Sequence, residues 1–180
     1  MKRTQAIELP EEEIAKQKEW MAAFAALEDR PHTYCVVTYG CQMNAHDSEK
    51  LEGMLTQMGM TPAANREEAD FVIFNTCCVR DNAQRRALGN VVWLKELKKT
   101  RPELMVGVCG CMMQQPGMGE QILKQYPFVD LAFGTHNLYR FAQLMLKAVQ
   151  SRRRVVEVIQ DDEGSIPEDL PVRRSSPYHA

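Results

Sequence analysis

Three short cysteine-bearing stretches recur at near-equal intervals, each directly after a run of residues that favours an extended strand. They are Tyr39-Gly40-Cys41-Gln42-Met43-Asn44, Asn75-Thr76-Cys77-Cys78-Val79-Arg80 and Cys109-Gly110-Cys111. Cys41 and Cys77 are 36 residues apart, and Cys77 and Cys111 are 34 apart. A strand–helix–strand unit takes roughly 30 residues or more. Repeating that unit in a parallel sheet returns each loop to the same sheet edge. Three thiols remote in sequence then converge on one place.

The rest of the chain agrees with such a repeat. Thr33 to Thr38 is β-rich, Phe71 to Phe74 and Leu104 to Val108 are apolar runs, and Val129 to Phe133 and Arg154 to Ile159 complete the strand set. A continuous apolar run is the mark of a strand covered on both faces. Met60 to Ala64 reads as a short edge strand. Amphipathic segments separate these runs. One starts at a cap, Asn44 or Asp47, and stops at Gly59. The others run from Asn82 to Lys99, Gly119 to Tyr126 and Leu138 to Ser151. Alternation of this kind predicts a doubly wound α/β fold, a mainly parallel sheet of about five strands with helices on both faces. Ahead of it, residues 1–31 form a helical extension. Its helix starts at Pro10, gathers Glu11, Glu12 and Glu13 at its positive end, and carries an apolar stripe of Ile14, Met21, Phe24 and Leu27 before Pro31. The domain proper is residues 32–160. Residues 161–180, with Pro167, Pro171 and Pro177, read as an extended linker.

Composition narrows the function classes. Hydrophobic residues make up 44% and charged residues 26%, with a net charge of −2, so the chain does not rely on bulk electrostatics to hold nucleic acid. No run approaches the roughly 18 apolar residues of a membrane span, and the N-terminus lacks a leader's apolar core. The expected setting is the cytoplasm, as a monomer, where thiols stay reduced. Six cysteines there point to metal or redox chemistry before disulfides.

Thiolates bind soft metals, and their pKa falls near helix N-termini and cations. Cys41 and Cys77 each precede a predicted helix, and Arg80, Arg85 and Arg86 lie close after Cys77. Gly40 and Gly110 each precede a candidate cysteine and leave room for a tight turn or a bulky group. Zinc sites usually pair their cysteines as C-x2-4-C, which is absent here. Iron–sulfur clusters accept ligands spread along the chain. Three cysteines on a four-iron cluster leave one iron open to a small sulfur species.

Other cysteines have plainer readings. Cys35 sits within the first strand as a small hydrophobe, and Cys78 is expected to point away from its neighbour Cys77. Cys109 and Cys111 are two residues apart, and chemistry alone leaves both as candidates. The eleven methionines read as core filler, the four histidines show no paired spacing, and Arg152-Arg153-Arg154 reads as a solvated helix end.

The three loops, with Phe128-Val129-Asp130 and Phe133-Gly134-Thr135-His136-Asn137, resemble the N-terminal domain of MiaB-type tRNA methylthiotransferases over about residues 33–159. The resemblance implies that Cys41, Cys77 and Cys111 hold an auxiliary 4Fe–4S cluster, with Asn44, Asn75 and Arg80 as candidate supporting residues. It implies methylthiolation of a modified adenosine beside the tRNA anticodon. A following radical S-adenosylmethionine domain would supply a second 4Fe–4S cluster, and a further domain would bind RNA. A sister branch modifies a ribosomal protein, and Gly40-Cys41-Gln42-Met43-Asn44 favours the tRNA branch.

No C-x3-C-x2-C occurs in these 180 residues, so the chain is expected to end before the radical domain and to be inactive alone. Two readings from other classes compete. A nucleotide or flavin module fits the same sheet edge but lacks G-x-G-x-x-G. A thiol switch using Cys77-Cys78 or Cys109 with Cys111 lacks C-x-x-C.

Overall fold

Phe71 to Thr76 is buried at every position, and the rest of the sheet is assembled around it. The structure, a computed structural model, describes residues 11–78 and 81–158. Its strands are β1 (Thr33–Tyr39), β2 (Thr61–Pro62), β3 (Phe71–Thr76), β4 (Met105–Cys109), β5 (Leu131–Phe133) and β6 (Val155–Glu157). They pair in the order β2-β1-β3-β4-β5-β6, and every pairing is parallel. The helices are α1 (Glu11–Ala25), α2 (Gln42–Gln57), α3 (Asp81–Thr100), α4 (Met118–Gln125) and α5 (Phe141–Ser151). This is the expected doubly wound α/β fold, with six strands where the sequence suggested about five.

Side-chain alternation along the strands builds two cores. Phe71, Ile73, Cys109, Leu131 and Phe133 face Met21 and Phe24 of α1, Leu51 and Leu55 of α2, and Phe141 and Met145 of α5. Val72, Phe74, Val106, Val108 and Ala132 face Val91 and Leu94 of α3 and Met118 and Ile122 of α4. Each buried Phe or Leu contributes about 1.5–3 kcal/mol. α1 is thus part of the first core, through the Met21 and Phe24 positions of its expected stripe.

Element ends explain most differences from the sequence reading. α2 is capped by Cys41, not by Asn44 or Asp47, because Asn44 Oδ1 turns back to accept the Cys41 backbone N–H at 3.3 Å. Its other end is a Schellman turn, in which Gly59 at φ +78° lets Met60 N–H reach Leu55 O at 3.0 Å. The helix expected from Leu138 splits into a 3-10 stretch, Thr135–Arg140, followed by α5. Pro10, Arg80 and the 161–180 linker lie outside the described residues.

Two aspartates align the strand starts. Asp70, just before β3, accepts the backbone N–H groups of His32 and Thr33 at 3.0 Å each, while Asp130, just before β5, accepts Val106 N–H at 2.8 Å. The last turn of α3 and the residue after it neutralise both, since Arg101 pairs with Asp70 and Lys98 with Asp130. Burial raises the Asp70 pKa, but the two N–H donors, Thr33 and Arg101 together leave it below its ordinary value.

A lowered native pKa means that the unfolded chain binds the extra proton, so this stability is present at neutral pH and lost as pH falls through the native titration. Asp70→Asn should therefore be less stable than wild type at pH 7 in urea denaturation, by about 1–2 kcal/mol. The gap should narrow steadily below about pH 4.

Candidate functional site

The chain runs from β1 outward to β2 and then crosses back over β1 to β3, so the strand order reverses beside β1. Doubly wound sheets bind ligands at that reversal, beyond the carboxyl ends of the strands. Tyr39 is level with Thr76, and Asn75 with Cys109. Cys41 follows β1 by two residues, Cys77 follows β3 directly, and Cys111 follows β4 by two. Three neighbouring strands thus end in cysteine loops on one edge.

Hydrogen bonds tie these loops together. Cys77 N–H donates to Tyr39 O at 2.9 Å, and Cys78 N–H donates to Cys111 Sγ at 3.1 Å. The Thr76 hydroxyl donates to Cys109 O at 3.2 Å. Close approach needs the two glycines. A Cβ on Gly40 would lie 2.8 Å from Cys77 Cβ, and one on Gly110 would lie 2.5 Å from Thr76 O. Gly110 also sits at φ +97° and ψ −175°, a region essentially reserved for glycine.

Below the loops lies a buried polar layer. Asn75 Nδ2 donates to Asn44 O at 2.8 Å and to Ser48 Oγ at 3.0 Å, while Asn75 Oδ1 accepts from Asn44 Nδ2 at 3.1 Å. Ser48 Oγ also bonds Thr38 Oγ1 at 2.7 Å. Asn44 Oδ1 accepts the Cys41 thiol at 3.4 Å. Asn44 and Asn75 therefore join the start of α2 to the end of β3, directly beneath Cys41 and Cys77. Ser48 and Thr38 were not anticipated from sequence. Ser48 left only the signal of a small hydroxyl on the inner face of an amphipathic helix, and Thr38 that of a polar residue near the end of β1.

The six cysteines separate by environment. Cys41 is exposed at the α2 N-terminus, Cys77 is buried beside Gly40, and Cys111 is half-buried. Cys109 turns inward among the α2 and α5 side chains, and burial pushes its thiol pKa far up. Cys35 is half-buried in β1, with its pKa raised by burial. β3 ends at Thr76, so strand alternation no longer governs Cys78, whose N–H meets the Cys111 sulfur. Burial lifts Cys111 to about 12, the Cys78 N–H works against that, and the Cys78 and Cys77 thiols add to it. Among the described residues, no three His, Cys, Asp or Glu side chains are grouped closely enough to hold a metal ion. Arg80 lies outside them.

The neighbouring surface is partly committed. Beyond Cys111 the chain makes a 3-10 turn, Cys111–Gln114, and Gln114 Nε2 meets His136 Nδ1 at 3.1 Å in the loop after β5. Arg154 is not solvated as expected, because its guanidinium donates to the carbonyls of Val129, Leu123, Ile122 and Tyr126. No helix among the described residues is long and apolar enough to cross a membrane.

A parallel, doubly wound domain with cysteine loops on three adjacent strand ends is a distinct class of structure, set apart from glycine-rich nucleotide binders. Residues 33–134 match the model of uncharacterized protein family UPF0004, and the chain belongs to that family. It is similar to the tRNA-2-methylthio-N(6)-dimethylallyladenosine synthase of Clostridium perfringens, 49% identical over 82% of this chain and 33% of that protein. Proteins of the same name from Acetivibrio thermocellus and Thermoanaerobacter sp. are each 47% identical, over 91% and 94% of this chain and 35% and 36% of their own length. The chain spans about a third of the length of the curated relatives it matches.

Two outcomes follow from this geometry. Gly110→Ala should lose about 1–3 kcal/mol of stability, read from chemical denaturation, because its Cβ meets Thr76 O and its φ disfavours any side chain. Timed iodoacetamide labelling of the metal-free chain at pH 8, mapped by peptide mass spectrometry, should mark Cys41 first. Cys109 should stay unlabelled until the chain unfolds. Cys111 should react slowly and faster as pH rises, since only the thiolate is nucleophilic.

Proposed function

We propose that this domain holds a 4Fe–4S cluster through Cys41, Cys77 and Cys111 and serves a tRNA methylthiotransferase. The observation that carries the reading is the placement of three soft donors on three adjacent strand ends, at the reversal of strand order. The donor set fits the group. The loop ends present thiols, the glycines at 40 and 110 keep the backbone low around them, and Asn44 and Asn75 brace two loops from below. A single tetrahedral zinc would need its sulfurs within about 3.8 Å of one another, from bonds of about 2.3 Å. A cluster of several atoms suits wider spacing.

Cys41, Cys77 and Cys111 would hold such a cluster through three of its irons, and the fourth would be open to a sulfur species. The chain's own residues prepare that binding. Cys111 must give up a proton that burial and its neighbours retain, and the Cys78 N–H remains to hydrogen-bond the resulting thiolate. Asn44 orients Cys41 through both its N–H and its thiol. The names of the relatives support a tRNA adenosine as the substrate of the whole protein, in preference to a ribosomal protein. That activity also calls for a radical S-adenosylmethionine domain with its own cluster, and the setting is the cytoplasm.

Anaerobic reconstitution with iron and sulfide should give about four irons per chain. Cys41→Ala, Cys77→Ala and Cys111→Ala should each lose most of that iron, and Cys35→Ala should retain it. Uptake should improve as pH rises, because ligation releases thiol protons. Normal iron content in all three single variants would falsify the assignment.

A further inference from the structure

The outer face of α3 is built unlike a solvated helix surface. Val92 is 47% exposed and Trp93 is 40% exposed. Arg66, from the loop before β3, lies over the Trp93 ring with Cζ 4.7 Å from its centroid, and its Nη1 donates to Asn90 Oδ1 at 2.6 Å. One turn nearer the cysteine edge, Arg85 and Arg86 are exposed, and neither guanidinium has an acidic partner among the described residues. Between the two groups sits Gly89. A Cβ there would meet nothing within 4 Å, so no packing demands a glycine that costs a helix interior about 1 kcal/mol. What Gly89 leaves is a dip in the helix surface, with two exposed cations on one side and an aromatic platform on the other.

The axis of this face has a direction. α3 begins at Asp81, three residues after Cys78, and Trp93 lies twelve positions further on, about 18 Å at 1.5 Å per residue. A strand lying on the face would run from Trp93 toward the cysteine edge. Cations for phosphates, a stacking surface for bases, and a gap for close approach are what an unpaired polynucleotide needs. The net charge of −2 shows that this basic surface is local, not an average property of the chain.

We propose that the outer face of α3 is an RNA-contacting surface. Arg85 and Arg86 hold phosphates, Gly89 admits the backbone, and Trp93 with the Arg66 guanidinium stacks an unpaired base. The inference rests on the tRNA part of the reading above and adds a surface through which this domain itself touches the substrate.

The test is fluorescence anisotropy with the 180-residue chain and a labelled, unmodified RNA stem–loop that has an unpaired loop, over a salt series starting at about 50 mM. Wild type should bind with an affinity that falls as salt rises. Arg85→Glu combined with Arg86→Glu should weaken binding at least about tenfold and lower the log–log salt slope by about 2. Trp93→Ala should weaken it about fivefold or more. Gly89→Gln separates folding from binding, because it should raise thermal stability while weakening RNA binding. Arg152→Glu with Arg153→Glu, away from the Arg85–Trp93 face, should bind as wild type does.

Unchanged affinity in the α3 variants overturns the proposal, as it would if this face packs on another part of the longer protein. An equal loss in the Arg152 and Arg153 control, or no binding at low salt, overturns it as well. Iron content is measured on the same samples. A chain that loads iron but ignores RNA sinks this inference alone, and one that binds RNA through α3 but loads no iron sinks the cluster assignment alone.

Discussion

The Asn44–Asn75 amide pair is the interaction on which the cysteine edge depends. Both side chains are buried, and both Nδ2 hydrogens of Asn75 find acceptors, one on Asn44 and one on Ser48. A buried amide left unpaired costs about 1–3 kcal/mol, so the pair tolerates little displacement of either partner. Because one member belongs to the first turn of α2 and the other to β3, the cap of the helix and the end of the central strand are fixed together. Cys41 and Cys77 inherit that fixed relation, and Gly110 brings the Cys111 loop down upon it.

The opposite end of the sheet is fixed by different chemistry that answers the same need. Parallel strands must be aligned without a hairpin to set their register, and aspartates just before β3 and β5 do this by gripping a neighbour's backbone. Asp130 is neutralised from the last turn of α3 and Asp70 from the residue that follows it. α3 therefore touches both ends of the sheet, with its first turn beside the Cys77 loop and its last turn over Asp70 and Asp130. A rigid rod of 20 residues links the alignment of the strand starts to the position of the reactive edge.

Alternating apolar runs and amphipathic segments made the layered sheet legible, since two-faced burial of β3 is written directly in Phe71-Val72-Ile73-Phe74. The convergence of Cys41, Cys77 and Cys111 on neighbouring strand ends followed from spacing. The directions of individual thiols did not. Cys109 obeys strand alternation and points into the core, whereas Cys111 lies beyond a backbone reversal that only the conformation of Gly110 determines. Cys78 escapes the alternation rule because β3 has already ended. The two aspartates left a faint trace, an acid immediately ahead of a strand in Ala69-Asp70-Phe71 and Val129-Asp130-Leu131, but their acceptor role needs the neighbouring strand in place. The last strand, read from the sequence as Arg154 to Ile159, pairs over Val155–Glu157 only, a boundary that the apolar pattern alone does not set.

Arg154 has a bearing on the order in which the molecule is put together. α4 has no glycine at its carboxyl end, and its terminal carbonyls are satisfied by a side chain 28 residues beyond Tyr126. One planar fork serves four oxygens, a task the single ammonium of lysine is poorly shaped to share. The eight-residue helix is therefore incomplete as a local unit and closes only once β6 has docked against β5. Completing α4 thus depends on a residue remote from it in sequence.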